Sequence, residues 1–479
     1  MNEDSQVIKA HVPLAQRIGW GMGGLSNYIT MQIFFALALP IYQIAFKVDP
    51  IKLGIAMAIP RFLDAVTDPL MGYLSDRTRS RWGRRRPYMV AGAALTAVLL
   101  PLLWIPPAGG EMVKLVYFTL ISCLFSIGVA MHVVPYTALG YELTDDYDER
   151  TRVLAWRMYL GLLGVLSMPW VYKATLLLGA YINGNTPGAP LPEVTGAPWV
   201  AAGLGLVALV TGLSPVWACR ENPAHQSVAA QKISLFDAFR HTLKNTPFVV
   251  LMLVNAVIRV GIASIDIVVL YINIYYVCGS KEMAATVGAL AGTMIGVLSY
   301  ISLPLFTWLS VKLGKRTAMI IGLSMGVIGY GMAWYTLNPR WPYAQIISSV
   351  FANFGLNGCW LLMSSMVADV CDEDELSTGM RREGFYGAVS CFVEKISFTF
   401  ASILSGILLR LSGYVPSMAD AGVPVDVAIR MKGMLVSIQS VSLLIAIACC
   451  VYYPLNRARA IEVRRQLDAR RNSRLSALN

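Results

Sequence analysis

Twelve long apolar runs constrain the fold of this 479-residue chain more than any other feature. They lie at 18–46, 51–76, 88–107, 113–142, 153–180, 197–219, 247–277, 282–313, 318–337, 342–371, 383–413 and 431–455. A membrane helix needs roughly 20 apolar residues, so each run can span and the longer ones imply tilt. Charged residues make up only 14% of the chain, against roughly a quarter in soluble proteins. The expected fold class is an all-α membrane protein of twelve transmembrane helices in two six-helix halves.

The formal charge of +11 resides largely in short loops, where a bias of positive charge toward the cytoplasmic side accounts for it without a nucleic-acid partner. The segment RTRSRWGRRR (77–86) alone holds six arginines, whereas YINGNTPGAPLPEVTG (181–196) has no Lys or Arg. An even span count then predicts that both termini are cytoplasmic, in a plasma membrane of the bacterial inner-membrane kind. No cleavable leader is evident, so the first helix is expected to act as its own insertion signal. The eight cysteines show no metal spacing and read as small packing residues.

The polar stretch at 220–246 divides the chain into halves at 1–219 and 247–455, followed by a basic tail at 456–479. GYLSDRTRSRWGRRR after span two is echoed by TWLSVKLGKR after span eight, and YELTDDYDERTR after span four by VADVCDEDELSTGMRR after span ten. Two repeats in the same orientation point to the parallel-repeat architecture of major facilitator transporters.

Span two carries PRFLDAVTDPLMGYLSD, in which Arg61, Asp64 and Asp68 share one helical face. A carboxylate at the bilayer centre costs roughly 3 kcal/mol, so two on one face require a purpose. Pro69 cannot donate to the Ala65 carbonyl, which leaves an oxygen on the same turn. The functional reading is a cage for one small cation, H⁺ or Na⁺, at Asp64 and Asp68. The structural alternative is an Arg61–Asp64 salt bridge, which leaves Asp68 unexplained. Burial beside a second carboxylate favours H⁺, while Arg61 opposes it by stabilising the charged form.

In the loop after span two, Asp76 precedes Gly83-Arg84-Arg85, the facilitator pattern in which an aspartate beside arginines latches helices in one state. Asp369 and Arg381 are the corresponding gate candidates in the second half.

RFLDAVTDPLMGYLSDRTRSRWGRRRP and WLLMSSMVADVCDEDELSTGMRREGFYGAVSCFVEKI closely resemble the glycoside–pentoside–hexuronide:cation symporters, typified by melibiose permease, and LSGYVP (411–416) adds to the likeness. The resemblance covers essentially all twelve spans. It implies cation binding at Asp64 and Asp68, a sugar-site tryptophan at Trp360, a lysine linking the two sites at Lys395, and a substrate arginine at Arg157. The family's helix-four aspartate falls on Val133, and its helix-one aspartate falls at Ser26 or Asn27, so two sugar-binding carboxylates are missing. Asn27 and Arg61 join the substrate-site candidates. Arg259 and Asp266, seven apart in span seven, are either an internal salt bridge or a grip on a charged solute. His132 reads as hydrogen-bonded packing more readily than as a proton relay. Glu394 adjoins Lys395 but points about 100° away around the helix.

No phosphate-binding loop and no His-Glu-x-x-His appears, so neither ATP-driven transport nor enzyme catalysis is expected, and no metal site beyond Na⁺. The expectation is a monomeric secondary symporter, with H⁺ or Na⁺ driving uptake of a glycoside, oligosaccharide or uronide. A lysophospholipid is the rival solute, and a non-transporting membrane sensor is the rival class.

Overall fold

The computed structural model describes residues 12–144, 147–184, 186–219, 242, 244–378, 383–415, 418, 423–455 and 457–476. The cytoplasmic-linker segment expected at 220–246 falls largely outside them, as does Arg381. The helices are α1 Leu14–Ala38, α2 Pro50–Arg77, α3 Arg86–Leu102, α4 Glu111–Tyr141, α5 Tyr147–Ser167, α6 Val171–Asn183 and α7 Pro192–Ala218. They continue as α8 Thr246–Ala263, α9 Asp266–Ile272, α10 Lys281–Leu313, α11 Lys315–Thr336, α12 Gln345–Thr378, α13 Glu383–Leu411, α14 Val425–Val451 and α15 Arg457–Ser476. Among the described residues, ten helical stretches are long and apolar enough to cross a bilayer. The other two expected spans are α2, set apart by Lys52, Arg61, Asp64 and Asp68, and α3, which has 17 residues.

The chain forms two compact units, one of residues 1–48 and 59–230, the other of residues 49–58 and 231–479. The pairing pattern repeats between them. In the first unit α1 packs on α5 and α7, and α3 on α4 and α7. In the second, α8 packs on α13 and α14, and α11 on α12 and α14. Each unit's first span also ends in a π turn, at Leu39–Ala45 and at Asn273–Val277. The weak sequence repeat is thus a repeat of packing.

Small residues make these contacts possible. A Cβ on Gly179 would lie 1.7 Å from the Pro192 carbonyl oxygen, and one on Gly196 would lie 2.0 Å from that of Thr175, so α6 and α7 touch backbone to backbone. In the second unit, Gly54 and Gly406 do the same for residues 49–58 against α13.

The first unit has a core around Trp20, Tyr136, Leu139 and Val216. Trp20 Nε1 donates to the Tyr136 carbonyl and Tyr136 Oη donates to the Trp20 carbonyl, which fixes two stacked rings 5.3 Å apart. The larger core of the second unit centres on Phe248, Phe306, Leu323, Leu356 and Leu443. No disulfide joins any of the eight cysteines.

Span seven departs from expectation. Ser264 and Ile265 form a turn between α8 and α9, so the span is not the single continuous helix that the face argument for Arg259 and Asp266 assumed. Asp266 begins α9, and its side chain lies outside the described residues.

Candidate functional site

The polar groups of the first unit gather around Asp64. Its side chain is 7% exposed, and Arg61 Nη1 lies 3.3 Å from Oδ2. Ser126 on α4 donates to Oδ1. Arg61 is in turn held over Phe35, with its guanidinium 5.0 Å from the ring centre. Beside Asp64 is a cavity of about 20 Å³, lined among others by Thr30, Pro60, Arg61, Ser122 and Ser126. That is room for about one water molecule or one small ion. Ser122 Oγ is buried and has no hydrogen-bond partner among the described residues. Asp68, one turn on, is half-buried and does not line the cavity.

The Arg61–Asp64 salt bridge is thus present, with a small cavity beside the same carboxylate. The α4 group that reaches it is Ser126, two turns before Val133, and sequence reasoning missed it. The only available signal was the pair Ser122 and Ser126, spaced one turn apart in an otherwise apolar run.

Ser26 and His132 are committed elsewhere. Ser26 Oγ donates to the Ala208 carbonyl at 2.8 Å, and His132 Nε2 lies 3.0 Å from the Gly212 oxygen, with its ring stacked on Tyr136. Both join α7 to the bundle, which is the packing role expected for the histidine. Asn27 differs: its Oδ1 is buried without a partner among the described residues. Arg157 on α5 lies over Tyr136 at 5.4 Å and Trp20 at 5.7 Å, so the fixed ring pair positions its charge.

In the second unit, Arg259 is the centre of a separate cluster. Its Nη2 lies 2.8 Å from Glu394 Oε1 on α13, and its Nε donates to Asn255 Oδ1 at 2.8 Å. The guanidinium lies 4.4 Å from the Trp360 ring and 5.4 Å from Phe398. Lys395 is half-buried beside Glu394 in the sequence. The carboxylate that Arg259 meets thus comes from another helix, and Glu394 was missed because adjacent charges alone do not show what each one faces.

The gate candidates form two similar latches. In the first unit Arg85 meets Asp76 at 3.1 Å and Glu142 at 2.8 Å, and Arg84 also meets Glu142. In the second, Lys315 Nζ lies 2.6 Å from Asp369 Oδ2. Each basic pair follows a glycine of positive φ, Gly83 at 104° and Gly314 at 89°. An arginine after the same glycine also donates to the end of a unit's last span, Arg86 to the Cys219 carbonyl and Arg316 to that of Val451. Glu142 belongs to a motif singled out in the sequence, yet only its contacts identify it as the acceptor. Among the described residues no cluster of three or more His, Cys, Asp and Glu is arranged to hold a metal.

Known proteins share this architecture. The isoprimeverose transporter of Lactiplantibacillus pentosus is 22% identical over 87% of this chain and 84% of its own length. The sodium-dependent lysophosphatidylcholine symporter 1-B of Danio rerio is 22% identical over 98% of this chain and 92% of its own. A bacterial homologue of the human lysosomal transporter Spinster, solved inward-facing and unoccupied, superposes with a TM-score of 0.67 at 14% identity, over 91% of this chain and 95% of that one. That likeness shows the fold, a major facilitator fold. The profile of the MFS/sugar transport proteins matches residues 19–457, nearly the whole chain, and the protein belongs to that family of membrane transporters.

Proposed function

We propose that this transporter is a cation-coupled symporter that takes up a glycoside, oligosaccharide or uronide by alternating access, in a plasma membrane with both termini on the cytoplasmic side. The observation that carries the reading is Asp64, buried in the bilayer region against an ion-sized cavity that Ser122 and Ser126 also line. A carboxylate kept at that cost suits a site that is charged when empty and neutral when loaded. Cation binding there raises solute affinity, and by linkage the solute raises cation affinity to the same extent.

Na⁺ is the assigned cation. A proton needs only one carboxylate. Na⁺ needs several oxygens to replace its water, and Ser122 Oγ adds a buried oxygen without a present partner. Solute contacts are assigned to Asn27 and Arg157 in the first unit and to Arg259, Trp360 and Lys395 in the second.

The test is uptake by proteoliposomes of a labelled panel of pentosides, glycosides and glucuronides, with sodium and pH gradients imposed separately at fixed membrane potential. Acceleration by an inward sodium gradient is expected. A response to the pH gradient alone would overturn the Na⁺ assignment. The lysophosphatidylcholine symporter among the relatives supports a second reading, an amphiphilic solute. Accumulation of lysophosphatidylcholine, with no accumulation of any sugar in the panel, would establish it.

A further inference from the structure

The second unit contains a cavity beside its Lys315–Asp369 latch. It has a volume of about 700 Å³ and lies where α10 ends, α11 begins and the tail helix α15 starts. Lys315, Arg316 and Arg457 line it, with Asp369 as the one carboxylate and Tyr453 in its wall. Lys315 is matched by Asp369. The two arginines are held by neutral groups: Arg316 donates to the carbonyls of Val451 and Tyr453, and Arg457 to that of Lys312. Carbonyls orient a guanidinium without cancelling its charge, so the cavity carries two cations that no carboxylate among the described residues neutralises.

One further feature favours an anion. The first turn of α11 starts at Gly314 with no side-chain cap, so its free amides contribute partial positive charge. Guanidiniums and a helix amino terminus together match the oxygens of a phosphate group.

The surroundings identify where that phosphate comes from. Val311, Leu313 and Ile461, at 64%, 51% and 57% exposure, line the same cavity and offer apolar surface. Lys312 Nζ lies 4.4 Å from the Trp308 ring at the end of the apolar α10, a cation–aromatic pairing suited to the membrane–water boundary. A free phosphate has no use for the apolar part. The tail helix meets α12 through Val463 and Leu467 packed on Leu376, and through Arg459 at 3.4 Å from Glu373.

We propose that this cavity binds the phosphate headgroup of an anionic phospholipid, with Arg316 and Arg457 as its contacts. Because Arg457 belongs to the tail helix, the bound headgroup also pins that helix to the bundle.

The full-length protein, delipidated in detergent, is titrated with phosphatidylglycerol or phosphatidylcholine, and retained lipid is counted by native mass spectrometry. At least tenfold tighter retention of phosphatidylglycerol is expected. Arg457→Gln and Arg316→Gln should each weaken it about tenfold to a hundredfold, the loss expected for one hydrogen bond to a charged group. Arg340→Gln, an exposed cation far from the cavity, should leave it unchanged. Equal retention of both lipids would overturn the proposal, as would wild-type retention in both cavity variants or an equal loss in Arg340→Gln. Displacement of the lipid by inorganic phosphate at matched concentration would overturn the lipid as the source.

Discussion

Arg259 on α8 and Glu394 on α13 lie 2.8 Å apart, and the Trp360 indole on α12 lies 4.4 Å from the same guanidinium. Three helices of the second unit therefore converge on one charge. Glu394 remains 43% exposed while Arg259 is 19% exposed, so the pair is open on its carboxylate side. An anionic solute group can compete with Glu394 for the guanidinium.

Substrate charge tests that arrangement. An anionic solute should outcompete its neutral analogue in uptake assays, and Glu394→Gln should strengthen the preference several-fold by removing the internal competitor. Arg259→Gln should abolish it, a change of about tenfold for the loss of one charge-assisted hydrogen bond. Equal competition by both solutes, unchanged in Arg259→Gln, would reduce the cluster to structure.

With the cation site proposed at Asp64, coupling would depend on the first unit. Asp64→Asn and Asp68→Asn should each abolish accumulation against a gradient while leaving exchange down a gradient. Ser126→Ala keeps the carboxylate and removes one oxygen, so the sodium concentration for half-maximal uptake should rise about tenfold. If Asp68→Asn accumulates solute at wild-type level, the cation site involves Asp64 without Asp68.

The latch in the first unit is a stability element. Arg85 has a side chain only 5% exposed, and Glu142 meets it and Arg84 together. Glu142→Gln strands that charge against the half-exposed Asp76, a loss on the order of 3 kcal/mol. Thermal unfolding in detergent should show a clear drop in Tm. An unchanged Tm would mean that Asp76 alone suffices.

Packing around Arg157 makes a further prediction. A Cβ on Gly24 would lie 2.8 Å from both Arg157 Cγ and the Arg157 carbonyl oxygen. Gly24→Val should push α1 from α5 and cost about 1–3 kcal/mol, with weaker solute binding than wild type. Gly203→Val, with open space at its Cβ position, is the control. Equal melting temperatures for the two variants would refute the close-contact account.

The spans, their doubling and the charged face of α2 were legible in the sequence because each follows from local rules. Apolar length sets a span, and 3.6 residues per turn place Arg61, Asp64 and Asp68 on one face. The repeat of Gly83-Arg84-Arg85 by Gly314-Lys315-Arg316 foreshadowed the two latches. The partners did not follow from those rules. Ser126 reaches Asp64 from 62 residues away, Glu142 reaches Arg85 from 57, and Glu394 reaches Arg259 from another helix. Such contacts depend on the rotation and crossing of separate helices, which linear spacing does not encode. The turn at Ser264–Ile265 was equally invisible to spacing, because helical phase is assumed, not read, wherever an apolar run is taken as one helix.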